Sequence, residues 1–147
     1  MAERIHNTRS HREFKKYYFY LYNDSKNWNS FADAFKAILN ITKKKSIPIV
    51  PVVFPLFAYP INRDYPFYGI HKKIEALMQE NQVAYLDLLN VFKGMDMSRL
   101  IVIPGADLHP NEIAHRIAAE SILKYLKKST LVPSQFFPEK TSRYRVN

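Results

Sequence analysis

Apolar positions recur along this chain in two rhythms, one of helices and one of strands. After Trp28 and Ser30, the residues Phe31, Ala34, Phe35, Ile38 and Leu39 fall on one helical face, with Asn29 or Ser30 as cap and Lys43-Lys44-Lys45 closing the segment. Ile70, Ile74, Leu77 and Met78 mark a second helix. Ile113, Ile117, Ser121 and Leu126, flanked by Ala114, Ala118, Ile122 and Tyr125, make a third, opened at Glu112 and capped by Asn111. Between them, Ile47-Pro-Ile-Val-Pro-Val-Val-Phe54 reads as a buried strand ended by Pro55. Pro48 and Pro51 lack amide donors, so its start should pair poorly on one side. Val83 to Leu86 predicts a short strand leading to Asp87, Leu88 to Phe92 a helical turn ending at Gly94, and Arg99 to Ile103 a last short strand.

The ends differ in character. Residues 1–16 are polar and basic and are expected to form a loose, flexible arm. The aromatic run Tyr17-Tyr-Phe-Tyr-Leu-Tyr22 has two readings: a strand, or an aromatic patch lying over something apolar. Residues 129–147, with Pro133 and Pro138, are expected to be an irregular tail. Helix, strand, helix, strand and helix in alternation across 17–128 predict one α/β layered domain with a parallel sheet and right-handed crossovers.

A chain of 147 residues is one domain's worth, and 47% hydrophobic with 14% aromatic residues suits a folded core. There is no cysteine, hence no disulfide framework and no thiolate nucleophile or metal ligand, which fits a reducing compartment. The formal charge of +9 would suit an anionic partner, but Lys43-Lys44-Lys45, Lys72-Lys73 and Lys127-Lys128 are scattered at or near helices and no nucleic-acid motif accompanies them. A solvated basic surface is the simpler account, and nucleic acid is not expected as a partner. No segment approaches the roughly 20 apolar residues needed to span a bilayer, and the basic start has no run suited to a signal peptide, so a cytoplasmic location is expected. His6, His11 and His71 have no ligand partners at sensible spacing, and neither a metal nor a cofactor is expected.

The chemistry-bearing stretch is Ile101-Val-Ile-Pro-Gly-Ala-Asp-Leu-His-Pro-Asn-Glu-Ile-Ala-His115, read as strand, tight loop and helix. It holds Asp107 and His109 two positions apart. An imidazole there can take and return a proton near neutral pH while a carboxylate fixes its tautomer. Equally, Asp107 and Asn111 can be competing caps of the helix while His109 sits idle at the surface.

The longer string Asp107-Leu108-His109-Pro110-Asn111, with His115 and Ala118-Ala119-Glu120, resembles the last conserved block of the SGNH, or GDSL-type, hydrolases. Tyr22, Trp28, the strand ending in Phe54-Pro55, Tyr65-Pro66-Phe67 and Asp87-Leu88 extend the likeness to the C-terminal half of that family. The resemblance implies a flavodoxin-like three-layer sandwich with a central parallel sheet of about five strands, here incomplete. It makes His109 the general base and Asp107 its orienting acid in a Ser-His-Asp triad, acting on a small-molecule ester or acyl substrate. It makes His115 a packing or hydrogen-bonding residue. One residue separates acid from base here, where the commonest family form has two.

The family's Gly-Asp-Ser nucleophile block is absent. Gly69, Gly94 and Gly105 are the only glycines and none adjoins a serine. Asn23-Asp24 is similar to the family's Asn-bearing block, although Tyr22 stands where that block has Gly; the residues themselves place Asn23 in a turn. Two functions of different class follow. One is the C-terminal portion of an ester or acyl hydrolase without its nucleophile, weak or inactive alone unless another serine such as Ser25 is recruited. The other is a non-catalytic module that self-associates as a homo-oligomer, or pairs with a partner, through an exposed sheet edge.

Overall fold

The computed structural model describes residues 2–129 and 131–137, with residues 2–11 described through their backbone. In order these residues form α1 (Ala2–Asn23), α2 (Ser25–Lys44), β1 (Val52–Val53), α3 (Tyr68–Glu80), β2 (Leu86–Asp87), α4 (Leu89–Phe92), β3 (Ile101–Ile103), β4 (Asp107–Pro110) and α5 (Glu112–Lys128). The fold is mixed α/β, dominated by helix, with small sheets.

The first helix corrects one expectation and decides between the two readings of the aromatic run. Residues 2–16 are not a loose arm in backbone conformation, and the aromatic run is not a strand; the two are one continuous helix. Phe14, Tyr18, Phe19 and Tyr22 lie on one helical face, and the last three pack on the core while Tyr17 and Tyr20 face solvent. Tyr18 and Phe19 set their rings 6.1 and 5.5 Å from that of Phe67, which is fully buried. The aromatic patch over an apolar base is therefore the reading realised.

The second helix starts earlier than its expected caps, Asn29 or Ser30. Asp24 holds an extended backbone and its carboxylate accepts the Asn27 N–H at 2.9 Å, so α2 opens at Ser25. Lys43 and Lys44 fill its last turn as expected, complementing the carbonyl end of the dipole. The Lys73 ammonium, on α3, donates to the Tyr22 carbonyl at 2.6 Å and lies 4.3 Å from the Trp28 ring centroid, tying α1, α2 and α3 at one point.

Only Val52 and Val53 of the strand expected over 47–54 join a sheet. β1 pairs parallel with β2, Val52 opposite Leu86 and Val53 opposite Asp87. The Leu86 N–H donates to the Pro51 carbonyl and the Leu88 N–H to that of Val53, both at 2.9 Å. Pro51 has no N–H to return, which stops the ladder on its N-terminal side. Among the described residues the parallel sheet has these two strands. The second sheet, β3 with β4, is antiparallel, where a parallel strand leading directly into a loop was expected.

The core forms where α3, α4 and α5 meet the loop after β1. Phe67, Phe92, Ile61 and Leu88 are its largest fully buried side chains, and Phe57 packs edge-on against Phe92. Ala114 and Ala118 are buried on α5, small enough to bring that helix close. Of the expected tail, Ser134–Phe136 form a single 3-10 turn; residues 138–147 lie outside the described residues.

Candidate functional site

Asp107 and His109 sit on β4, one arm of a hairpin rather than a free loop. Ile103-Pro104-Gly105-Ala106 makes its turn: the Ala106 N–H donates to the Ile103 carbonyl at 3.0 Å, and Gly105 takes φ 83°. Proline followed by a glycine at positive φ is the signature of a type II turn, so the signal stood in the sequence. Ile103 faces Asp107 and Ile101 faces Pro110, and β4 uses one more residue than β3 between these pairs. Such a bulge bends the strand and re-aims its side chains.

The result brings the two expected residues together. One oxygen of Asp107, Oδ1, accepts both the His109 backbone N–H at 3.0 Å and the ring Nδ1 at 2.7 Å. An ionised carboxylate can only accept, so Nδ1 carries a proton, and in the neutral ring the lone pair of a base is then on Nε2. The backbone N–H and then the ring N–H of His109 hold the Asp107 carboxyl below the usual carboxylate range. His109 is 87% exposed and Asp107 42%, so water screens the pair.

Asp107 does not cap α5. Asn111 does so alone, its Oδ1 accepting from Ile113 N–H at 3.0 Å and Ala114 N–H at 3.2 Å. Its Nδ2 donates to the Arg99 and Ile101 carbonyls at 3.0 and 3.1 Å, pinning the helix start to β3. The reading of Asp107 and Asn111 as competing caps is thus settled by a division of labour.

Asp107 and His109 line a cavity of about 470 Å³ bordered by the segment 54–58, by residues 106–110 of the hairpin, by His115 of α5 and by Phe14 of α1. His115 is exposed and its ring lies 6.3 Å from that of Phe54. Among the described residues that line this cavity there is no serine or threonine. Ser25 is the exposed first residue of α2 and is not among them, and Asn23 ends α1. The buried Tyr65 hydroxyl accepts the Leu56 N–H at 2.8 Å and donates to the Leu56 carbonyl at 3.3 Å, which fixes the cavity wall. Burial pushes that phenol far above its ordinary range, keeping it protonated.

A second aspartate–histidine pair was not foreseen. His71 on α3, 7% exposed, donates Nδ1–H to Asp87 Oδ2 at 2.8 Å, and Asp87 Oδ1 accepts the Leu89 N–H at 2.8 Å. Sixteen residues separate the partners, so spacing could not reveal them; the available signal was His71 sitting on the apolar face with Ile70, Ile74 and Leu77. Among the described residues no three histidines or carboxylates converge as metal ligands, and no helix is long and apolar enough to cross a membrane. Comparison with family models, with curated proteins and with solved structures found no match to this chain.

Proposed function

We propose that residues 17–128 are the C-terminal part of an SGNH-type, flavodoxin-like sandwich, and that His109 and Asp107 are the base and orienting acid of an ester or acyl hydrolase. The observation that carries this reading is the 2.7 Å bond from His109 Nδ1 to Asp107 beside an apolar cavity. That bond selects the tautomer whose Nε2 can accept a proton. In the full reaction a serine from outside this chain attacks the ester carbonyl while Nε2 takes its proton. The imidazolium then returns that proton to the leaving alcohol as the acyl-enzyme forms, and water repeats the cycle to release the acid.

The test is hydrolysis of p-nitrophenyl acetate by this chain and by a longer polypeptide read from the DNA upstream of codon 1. The chain alone should give background rates, because triad members act as a unit. A longer product bearing an in-frame Gly-Asp-Ser segment should turn over, and His109→Ala should abolish it. Turnover untouched by His109→Ala, or no such segment upstream together with no activity, overturns the proposal. Robust turnover by this chain alone, lost in His109→Ala, would move the nucleophile to one of its own serines.

A second reading, a non-catalytic module that self-associates, draws on exposed apolar side chains along the strands: Val102 and Ile103 on β3 and Ile47 ahead of β1 are each about half exposed. Sedimentation at micromolar concentration tests it, and a clean monomer removes it.

A further inference from the structure

We infer that the cavity beside His109 takes an uncharged ester carrying a bulky apolar group, and that Phe14 of α1 sets how large that group can be. The position of the ester carbonyl rests on the reading of His109 as base; the apolar part of the inference stands on the cavity walls. Those walls are Phe14, Phe54, Leu56, Phe57 and Leu108, in a space of about 470 Å³. A volume of that order, lined by aromatic and aliphatic side chains with a few polar groups, is typical of a small-molecule site. The titratable side chains on it are Asp107, His109 and His115.

Charge narrows the ligand further. The chain has 22 lysines and arginines, yet none lines this cavity among the described residues. A phosphate or carboxylate group would meet the Asp107 carboxylate, held ionised by its bonds from His109, with no lysine or arginine among the described lining residues to offset it. An ester carries no charge and avoids that repulsion.

The wall from 54 to 58 is held in place, because Tyr65 satisfies both the N–H and the carbonyl of Leu56. Those groups are consequently spent and do not serve the ligand. Phe14 is different. It reaches the cavity from α1, a helix outside the loop, hairpin and α5 that supply the other walls, and is braced by Tyr18 with ring centroids 4.7 Å apart. Shortening it removes apolar wall without disturbing the bonds that shape the hairpin.

Binding, not turnover, tests this. Methyl phenylacetate, methyl acetate and phenyl phosphate are titrated into the chain while the ring-proton NMR signals of His109 and His115 are followed. Methyl phenylacetate should bind saturably and about tenfold or more tighter than methyl acetate, with phenyl phosphate weaker than the aryl ester. Phe14→Ala should weaken the aryl ester by about tenfold and leave methyl acetate unchanged. Tyr20→Ala, on the solvent face of the same helix and exposed, should change neither. If Phe14→Ala does not fold, Phe14→Leu should still weaken the aryl ester selectively.

Equal binding of both esters, preference for phenyl phosphate, or indifference to Phe14 substitution overturns the inference. In His109→Ala the aryl ester should bind within about twofold of the parent, since that ring is 87% exposed and contributes little apolar wall. Retained binding in a polypeptide that never hydrolyses an ester would therefore sink the base role of His109 while leaving the apolar site standing.

Discussion

His71 Nδ1 lies 2.8 Å from Asp87 Oδ2, joining the first turn of α3 to the end of β2 across the core edge. The exposed pair on β4 repeats this bond almost atom for atom, but the surroundings reverse its meaning. At 7% exposure His71 has left water, and Asp87 is anchored again by the Leu89 N–H that starts α4. His71→Ala should strand the carboxylate and open a cavity, costing roughly 2–4 kcal/mol of stability. His109→Ala should move the urea midpoint far less, because that pair is exposed and screened by water. Chemical denaturation of the two variants side by side checks both, and equal midpoints would contradict the contrast.

Lys73 offers a second test of what holds the helices together. Its ammonium accounts for the Tyr22 carbonyl at the end of α1 and sits over the Trp28 ring. Lys73→Met keeps the apolar stem and removes the charge, so the expected loss is roughly 1–2 kcal/mol. Trp28 is the only tryptophan, so its emission should shift to longer wavelength as the ring gains water. An unchanged spectrum and an unchanged midpoint would mean that this cation is a bystander.

The parts of the fold open to sequence reading were those where one physical cause acts locally. Helix α5, with Asn111 as cap, and α3, with its Ile70, Ile74 and Leu77 stripe, were expected and found, because cap chemistry and helical period agree there. The closing lysines of α2 followed the same logic. The aromatic run left two readings open because every residue from 17 to 22 is apolar or aromatic; the helical period appears only when Phe14 is included and the exposed Tyr17 and Tyr20 are set aside. β1 fell short because the prolines that were noticed cut the ladder further than expected. The hairpin was missed although Pro104-Gly105 marked its turn, since the strand and helix on either side suggested a direct crossing. Asp107 and His109 were found by local spacing. Asp87 with His71, and Tyr65 with Leu56, depend on tertiary contact, and the local trace they left was only the place of His71 on the apolar face of α3.

Asn111 separates a cap from a brace. Its oxygen caps α5, while its nitrogen holds the carbonyls of Ile101 in the preceding strand and of Arg99 just ahead of it. Asn111→Ala should lose both functions, about 1–2 kcal/mol. Asn111→Asp keeps the cap and gains from the helix dipole, yet it loses two donors and turns a negative charge toward two carbonyl oxygens. It should therefore be less stable than the parent even though aspartate is the equal of asparagine as a cap. Thermal melts at neutral pH decide this, and an Asp variant as stable as the parent would show that the brace contributes no more than the dipole gain.

The exposed pair makes its own prediction through protons. Asp107 is held below the ordinary carboxylate range first by the backbone N–H of His109 and second by its ring. A carboxyl with a depressed folded pKa contributes stability at pH values above its unfolded pKa, and loses it as pH falls through the folded value. The window therefore lies on the acid side of the usual aspartate titration and not near neutrality. Carbon-detected NMR should place the Asp107 midpoint below that of an unpaired aspartate. His109→Ala removes the ring but not the backbone N–H, so the midpoint should rise only part of the way back. A full return to the ordinary value would mean that the imidazole alone holds the proton off, and that the two-fold grip of Oδ1 on residue 109 does not persist in solution.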